Sequence, residues 1–150
     1  MRRLSAGVTV VLFLLAGSRA EAARCTVATT AVTFGTYNVF NPAPVDSTGS
    51  VRFNCNGGAQ NVVIGITRGQ SATFSPRTLK KGTESLAYNL FQDASRSTVW
   101  GDGTGGAQLY YAGNPPNNDD VTVTIFGRIP PSQDITAGAY SDSVTVTVLF

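Results

Sequence analysis

Residues 141–150 have the sequence SDSVTVTVLF, in which valine alternates with threonine and serine. A period of two places successive side chains on opposite faces of a β-strand. The apolar positions of this strand are Val144, Val146, Val148 and Phe150. Its only charge is Asp142, and it contains no lysine or proline, so an unprotected edge would pair with other chains. We therefore expect the strand either to lie inside a sheet or to border a groove that a strand of another chain fills.

The same period recurs upstream of this strand and predicts an all-β sandwich of about seven strands. The predicted strands lie at residues 26–34, 50–55, 61–68, 86–91, 120–128 and 141–150, with a short strand at 109–111. Clusters of glycine, proline, asparagine and lysine between them, such as Lys80-Lys81-Gly82, predict turns. No segment has a helical period over three turns.

The composition excludes most enzyme classes. Only 13% of the residues are charged, and there is no histidine, so the chain lacks a Ser-His-Asp or Cys-His nucleophile system and His-ligated zinc. The carboxylates are few and scattered, which disfavours a glycosidase pair, and their spacing does not match an EF-hand. We expect neither catalysis nor a cofactor or metal. A carbohydrate-binding β-sandwich remains an alternative.

The N-terminus is typical of a secretory signal peptide. Arg2 and Arg3 precede an apolar run at residues 6–16, and Ala20-Glu21-Ala22 provides a cleavage site. We expect residues 1–22 to be removed, which leaves one domain at residues 23–150. The apolar run is too short to cross about 30 Å of hydrocarbon, so we expect no transmembrane segment in the mature chain.

The net charge of +2 belongs to the precursor. Removal of residues 1–22 leaves basic and acidic residues equal in number. A neutral chain without a basic cluster cannot neutralise phosphates, so we expect no nucleic acid partner.

Two cysteines occur in the chain, Cys25 and Cys55. In an oxidising compartment a single pair favours a structural disulfide. A catalytic thiol is the rival interpretation, but the cysteines lack CxxC spacing and a histidine partner. We therefore predict a Cys25–Cys55 bridge.

A series of short motifs follows one another along residues 25–142. They are Cys25, Phe34-Gly35-Thr36-Tyr37, Cys55, Ile66-Thr67-Arg68-Gly69, Ser75-Pro76-Arg77, Leu86-Ala87-Tyr88-Asn89-Leu90, Val99-Trp100-Gly101-Asp102-Gly103, Phe126-Gly127-Arg128-Ile129 and Ala137-Gly138-Ala139-Tyr140-Ser141-Asp142. In this order they resemble the spore coat protein U domain family, which includes subunits of archaic chaperone-usher pili. The resemblance implies an immunoglobulin-like β-sandwich that lacks its last strand and is open to donor-strand complementation.

The resemblance also implies partners and a location. A periplasmic chaperone would hold the subunit until a neighbouring subunit inserts a donor strand at the usher, and the protein would end at the cell surface in a fimbrium, with a role in adhesion or biofilm, or be secreted. In such subunits the first and last strands flank the groove, and the last strand with its terminal carboxylate faces the chaperone. The matching positions here are Val27, Val32, Phe34, Val144, Val146, Val148 and Phe150.

One departure from the family pattern concerns the N-terminus. Pilus subunits of this kind carry a donor extension ahead of the first cysteine, whereas only Ala23 and Arg24 would precede Cys25 after signal cleavage. We therefore expect a chain that accepts a strand without donating one, which suits a terminal position in an assembly. A secreted spore or cell coat protein is the alternative.

Three aromatic residues are candidates for contact with a surface or a ligand. They are Trp100, Tyr110 and Tyr111. Core packing and support of the neighbouring turns is the other interpretation of the same residues.

Overall fold

Eight β-strands and no helix make up residues 22–150, the part of the chain that the computed structural model describes. The strands are β1 (Arg24–Thr30), β2 (Val45–Asn56), β3 (Val62–Ile66), β4 (Arg77–Lys81), β5 (Glu84–Phe91), β6 (Tyr110–Gly113), β7 (Asp120–Ile129) and β8 (Val146–Leu149). The predicted signal peptide lies, apart from Ala22, outside the described residues. Within them no helix could span a membrane.

The strands form two antiparallel sheets that share one core. Five strands make the larger sheet, in the order β1-β2-β7-β5-β4, and three make the smaller one, in the order β6-β3-β8. Alternate side chains of the central strands point inward, among them Val51 and Phe53 of β2 and Ile64 and Ile66 of β3. This is the alternation that the sequence predicts, and the all-β sandwich is confirmed.

Most strand ends differ from the prediction by a few residues, and the largest differences concern β4, β1 and β8. β4 contains Lys80 and Lys81, for which the sequence predicts a turn, and the turn instead follows at Gly82. Polar residues form this strand because Arg77–Lys81 pairs with β5 over its full length. β1 ends at Thr30 rather than at residue 34, and β8 covers four residues rather than ten.

β1 ends early because the chain leaves the sheet edge and crosses the inner face of the larger sheet. We call residues 31–39 the crossing segment. A Cβ atom at Gly49 of β2 would lie 2.8 Å from Val32 Cγ2, and one at Gly127 of β7 would lie 2.6 Å from Val32 Cγ1 and 2.8 Å from Phe34 Cζ. Glycine on these two strands therefore makes the room through which Val32 and Phe34 reach the core.

The predicted disulfide is confirmed. Cys25 of β1 lies opposite Cys55 of β2 in the antiparallel register, and their sulfur atoms are bonded. The bridge fixes the first described strand to the body of the larger sheet.

Candidate functional site

An open cavity of about 880 Å³ lies between the crossing segment and a second irregular segment, residues 135–142, which we call the rim segment. Its floor is apolar and includes Leu79 of β4, Leu86 of β5 and Ile129 of β7. Leu86 and Ile129 are themselves buried, whereas Val32, Phe34, Leu79 and Ile135 of the lining are half-buried and form its partly exposed apolar surface.

One end of the rim segment is tied to the larger sheet near Asp142. The Ser141 amide donates to the Lys80 carbonyl at 3.0 Å, and the Lys80 amide donates back at 2.8 Å. The Tyr88 hydroxyl donates to Asp142 Oδ2 at 2.7 Å, and the Gln70 amide donates to Oδ1 at 2.8 Å. Burial, with the hydrogen bond to Asp142, raises the pKa of Tyr88 far above its ordinary value. Tyr88 therefore stays protonated and keeps donating.

The other end of the rim segment is held by Glu84. Its Oε2 accepts hydrogen bonds from Thr136 Oγ1 at 2.5 Å and from the Tyr140 hydroxyl. Lys81 Nζ donates to the Ala137 carbonyl at 2.7 Å. The hydrogen bonds from Thr136 and Tyr140 lower the pKa of Glu84. The rim segment is thus anchored at both ends although it is not a strand.

The crossing segment has fewer anchors. Ser47 Oγ donates to the Thr33 carbonyl at 2.7 Å. The Tyr37 hydroxyl donates to the Pro130 carbonyl at 3.1 Å and accepts from the Gln133 amide at 2.9 Å. Across the described part of the chain, no backbone hydrogen bond joins the crossing segment to the rim segment. The crossing segment and the rim segment therefore face each other across the cavity without being paired.

β8 continues the rim segment along the smaller sheet. It pairs with β3, from Val63 with Leu149 to Ile66 with Val146, and residues 22–150 provide no strand for its other edge. Its inward valines, Val146 and Val148, are half-buried against the core, as is Val144 just before the strand. The strand that the sequence singles out thus lies at the edge of a sheet and not inside one.

The structure brings only some of the predicted groove residues together. Val32 and Phe34 line the cavity. Val27 does not: it lies on β1 opposite Phe53, and 46% of its surface is exposed. The apolar residues of 144–150 lie on or beside β8, beyond the lining of the cavity, and Phe150 is 53% exposed.

The sequence pattern does not predict all of the residues that line the cavity. The clearest omissions are Tyr37 and the rim segment, which have no hydrophobic period because neither belongs to a strand. The motifs Phe34-Gly35-Thr36-Tyr37 and Ala137–Asp142 contain most of these residues. The family motifs therefore mark them, whereas the hydrophobic period of two does not.

The three aromatic candidates have different environments. Trp100 is fully buried, and its Nε1 donates to the Ile64 carbonyl at 3.0 Å, so the prediction of a surface contact is wrong for this residue. Tyr110 is half-buried with its ring 5.2 Å from that of Trp100. Tyr111 is 72% exposed and is the one of the three that a partner could reach.

The fold is similar to that of a chain in a solved complex. The complex is described as a CsuC–CsuE chaperone–tip adhesion subunit pre-assembly complex from archaic chaperone-usher Csu pili of Acinetobacter baumannii. The superposition has a TM-score of 0.62 at 25% sequence identity and covers 86% of this chain, but 40% of the other. The fold is thus the immunoglobulin-like sandwich of pilus subunits, and this chain spans less than half the length of that relative.

The sequence matches the family model of the Spore Coat Protein U domain over residues 11–147. The chain belongs to this family. It is also 30% identical to Protein U of Myxococcus xanthus over an alignment that covers 97% of this chain and 96% of that protein. The resemblance read from the motifs is therefore confirmed, and the protein is a structural subunit of the pilus or coat type.

Proposed function

We propose that the protein is a subunit of an exported surface assembly and that its groove accepts a β-strand from a periplasmic chaperone or from a neighbouring subunit. The cavity between the crossing segment and the rim segment carries this proposal. An inserted strand with alternating apolar side chains would cover the half-buried residues Phe34, Leu79 and Ile135 and would pair with backbone groups on either side.

The chemistry of the cavity lining supports a strand rather than a small ligand. The floor is aliphatic, and the charged residue of the lining, Asp142, already accepts hydrogen bonds from Tyr88 and Gln70. A small-molecule site usually combines an apolar pocket with a few free polar groups. The two wall segments are not hydrogen-bonded to each other, and a strand inserted between them would pair with their backbone groups.

The edge of β8 extends the same surface. A strand that lies along the rim segment would continue beside β8 and would meet the half-buried face of Val144, Val146 and Val148. The similarity to a chain of the chaperone–tip subunit complex supports a chaperone and other subunits as partners. An usher as a further partner, the cell surface as the final location and a role in adhesion are parts of the same proposal.

A coat protein is the second candidate. The end-to-end match to Protein U favours it, because that alignment covers nearly all of both chains. A coat protein that completes its own sandwich would be stable without a partner, whereas a strand acceptor would be stabilised by one.

The two candidates are separated by measuring the thermal stability of residues 23–150 alone, with candidate periplasmic chaperones and with a synthetic donor peptide of alternating apolar residues. A strand acceptor should melt at a higher temperature with either partner, since a ligand that binds only the folded state stabilises it. A stable monomer that ignores both would refute strand acceptance and favour the coat protein.

A substitution on β8 tests the position of the groove. We expect Val146→Asp to abolish binding of the chaperone, because a carboxylate would replace a half-buried apolar contact at the accepting edge. The matched control is Thr147→Asp, the next residue of the same strand, which faces solvent. Unchanged binding by a folded Val146→Asp variant would place the chaperone elsewhere.

The terminal position in an assembly stays a prediction from the sequence. It is tested by asking whether the protein, added to assembling subunits, stops further growth.

A further inference from the structure

The outer edge of β1 is the most exposed regular edge of the described fold. Within residues 22–150, β1 pairs only with β2, over seven consecutive positions without a bulge. All residues from Thr26 to Thr30 are exposed. Thr26-Val27-Ala28-Thr29-Thr30 has no charge, no proline and a high propensity for β-structure.

The other sheet edges are protected or already assigned. At the opposite edge of the larger sheet, the amide and carbonyl of Lys80 are bonded to Ser141, and charged side chains line β4. β6 is four residues long and ends at Gly113, and short edge strands pair poorly. β8 borders the proposed groove. β1 alone has none of the devices by which proteins prevent edge-to-edge pairing.

We propose that β1 pairs antiparallel with β1 of a second copy of this chain, around a two-fold axis at Ala28. This register is self-complementary. It places Thr26 opposite Thr30 and Val27 opposite Thr29, and cross-strand pairs of threonine and β-branched residues are favourable. Ala28 meets its own copy, where a small side chain fits.

Two further features favour a second copy as the occupant. Arg24, the only charge of β1, lies at the end of the strand, so the two copies of Arg24 would be far apart. Val27 is 46% exposed although it lies on the inward side opposite buried Phe53, and the paired strand would cover it with Thr29 of the second copy. The interface is small, so we expect a weak, concentration-dependent dimer, as for interfaces below about 1,200 Å².

The test uses residues 23–150 in analytical ultracentrifugation over a concentration series, alone and bound to the chaperone. We expect a monomer–dimer equilibrium in wild type. Ala28→Glu should raise the dissociation constant about fivefold or more, because the two carboxylates would be directly opposite in the dimer. Within the monomer, position 28 lies opposite Arg52 on the same face, so the new carboxylate should leave the fold intact.

The matched control is Thr122→Glu, which adds the same charge opposite the same Arg52 but on central strand β7. It should dimerise like wild type. A second variant, Ala28→Cys, should form a disulfide-linked dimer under oxidation, because only a two-fold axis near this residue brings the two sulfurs together. A wild type that stays monomeric, an Ala28→Glu variant that dimerises equally well, or an Ala28→Cys variant that does not cross-link would each overturn the proposal.

Failure of dimerisation through β1 and failure of strand acceptance can be distinguished by experiment. Ala28→Glu should keep chaperone binding, because Ala28 lies outside the cavity lining. Val146→Asp should lose chaperone binding and keep the dimer. A protein that dimerises through β1 but binds neither chaperone nor donor peptide would retain this inference and lose strand acceptance.

Discussion

At the scale of single residues, Arg77 is the most unusual side chain in the core. It is fully buried, and among the described residues it forms no ion pair. Its guanidinium donates to Asn89 Oδ1 at 2.8 Å, to the Trp100 carbonyl at 2.6 Å and to the Thr67 carbonyl at 3.1 Å. Burial lowers the pKa of Arg77, but an arginine still remains charged. From within the core, the Arg77 side chain therefore links β4 to β5. It also links β4 to the loop that follows β3 and to the loop that contains Trp100.

We predict that Arg77→Ala lowers the free energy of unfolding by about 3 kcal/mol, because three acceptors would lose a charged donor in a dry environment. Urea unfolding measures this change. Arg68→Ala is the control, since exposed Arg68 donates to the Ala72 carbonyl, and its removal should cost less than about 0.5 kcal/mol. Equal losses in the two variants would show that Arg77 does not organise the core.

At the scale of elements, the two sides of the groove differ in how firmly they are held. The rim segment is anchored by hydrogen bonds at Glu84 and at Asp142, whereas the crossing segment has fewer hydrogen bonds and is held mainly by the packing of Val32 and Phe34. In the proposed function, an entering strand would shift the backbone of the crossing segment more readily, because fewer hydrogen bonds hold that backbone. The rim segment would then act as the fixed wall against which the new strand aligns.

The anchor at Glu84 predicts a pH dependence. Because the folded-state pKa of Glu84 is lowered, its stabilising contribution is present above the ordinary glutamate pKa and is lost as the pH falls through the lowered value. We expect Glu84→Gln to melt at a lower temperature than wild type at pH about 7, and the difference to shrink at pH about 3. Asp134→Asn, an exposed carboxylate nearby, is the control. A difference in melting temperature between wild type and Glu84→Gln that does not change with pH would show that the charge of Glu84 does not anchor the rim segment.

At the scale of the whole molecule, the disulfide acts on the unfolded chain. It closes a loop with a sequence separation of 30 residues. In the chain-entropy model we expect the double variant Cys25→Ser, Cys55→Ser to lose about 3.5 kcal/mol, measured by urea unfolding. Chaperone binding should survive, because neither cysteine lines the cavity. Two thiols that titrate in the native exported protein would contradict the bridge.

Much of the fold could be predicted from the sequence, and the reason is periodicity. β2, β3, β5 and β7 bury alternate residues, so a period of two marks them. The sequence does not predict β4, because Arg77-Thr78-Leu79-Lys80-Lys81 has a single aliphatic residue. The buried residue of this strand is an arginine, Arg77.

The groove was less predictable for a different reason. Its walls are irregular segments whose course depends on distant contacts, such as Val32 above Gly127 and Tyr37 at Pro130. Those contacts join residues far apart along the chain and have no local signature. Only the family motifs identify these segments in the sequence, and the motifs do not show that the segments form the walls of the groove.

The pairing of β8 with β3 also has a consequence for the order of synthesis. Val63 is made long before Leu149, yet they are partners in the smaller sheet. Until β8 has left the ribosome, the inward face of β3, with Val62, Ile64 and Ile66, has no β8 beside it. Long-range pairing of this kind is slow, and unfinished sheets aggregate. A chain that has not yet placed β8 therefore holds an incomplete sandwich, and the smaller sheet is complete only when β8 pairs with β3.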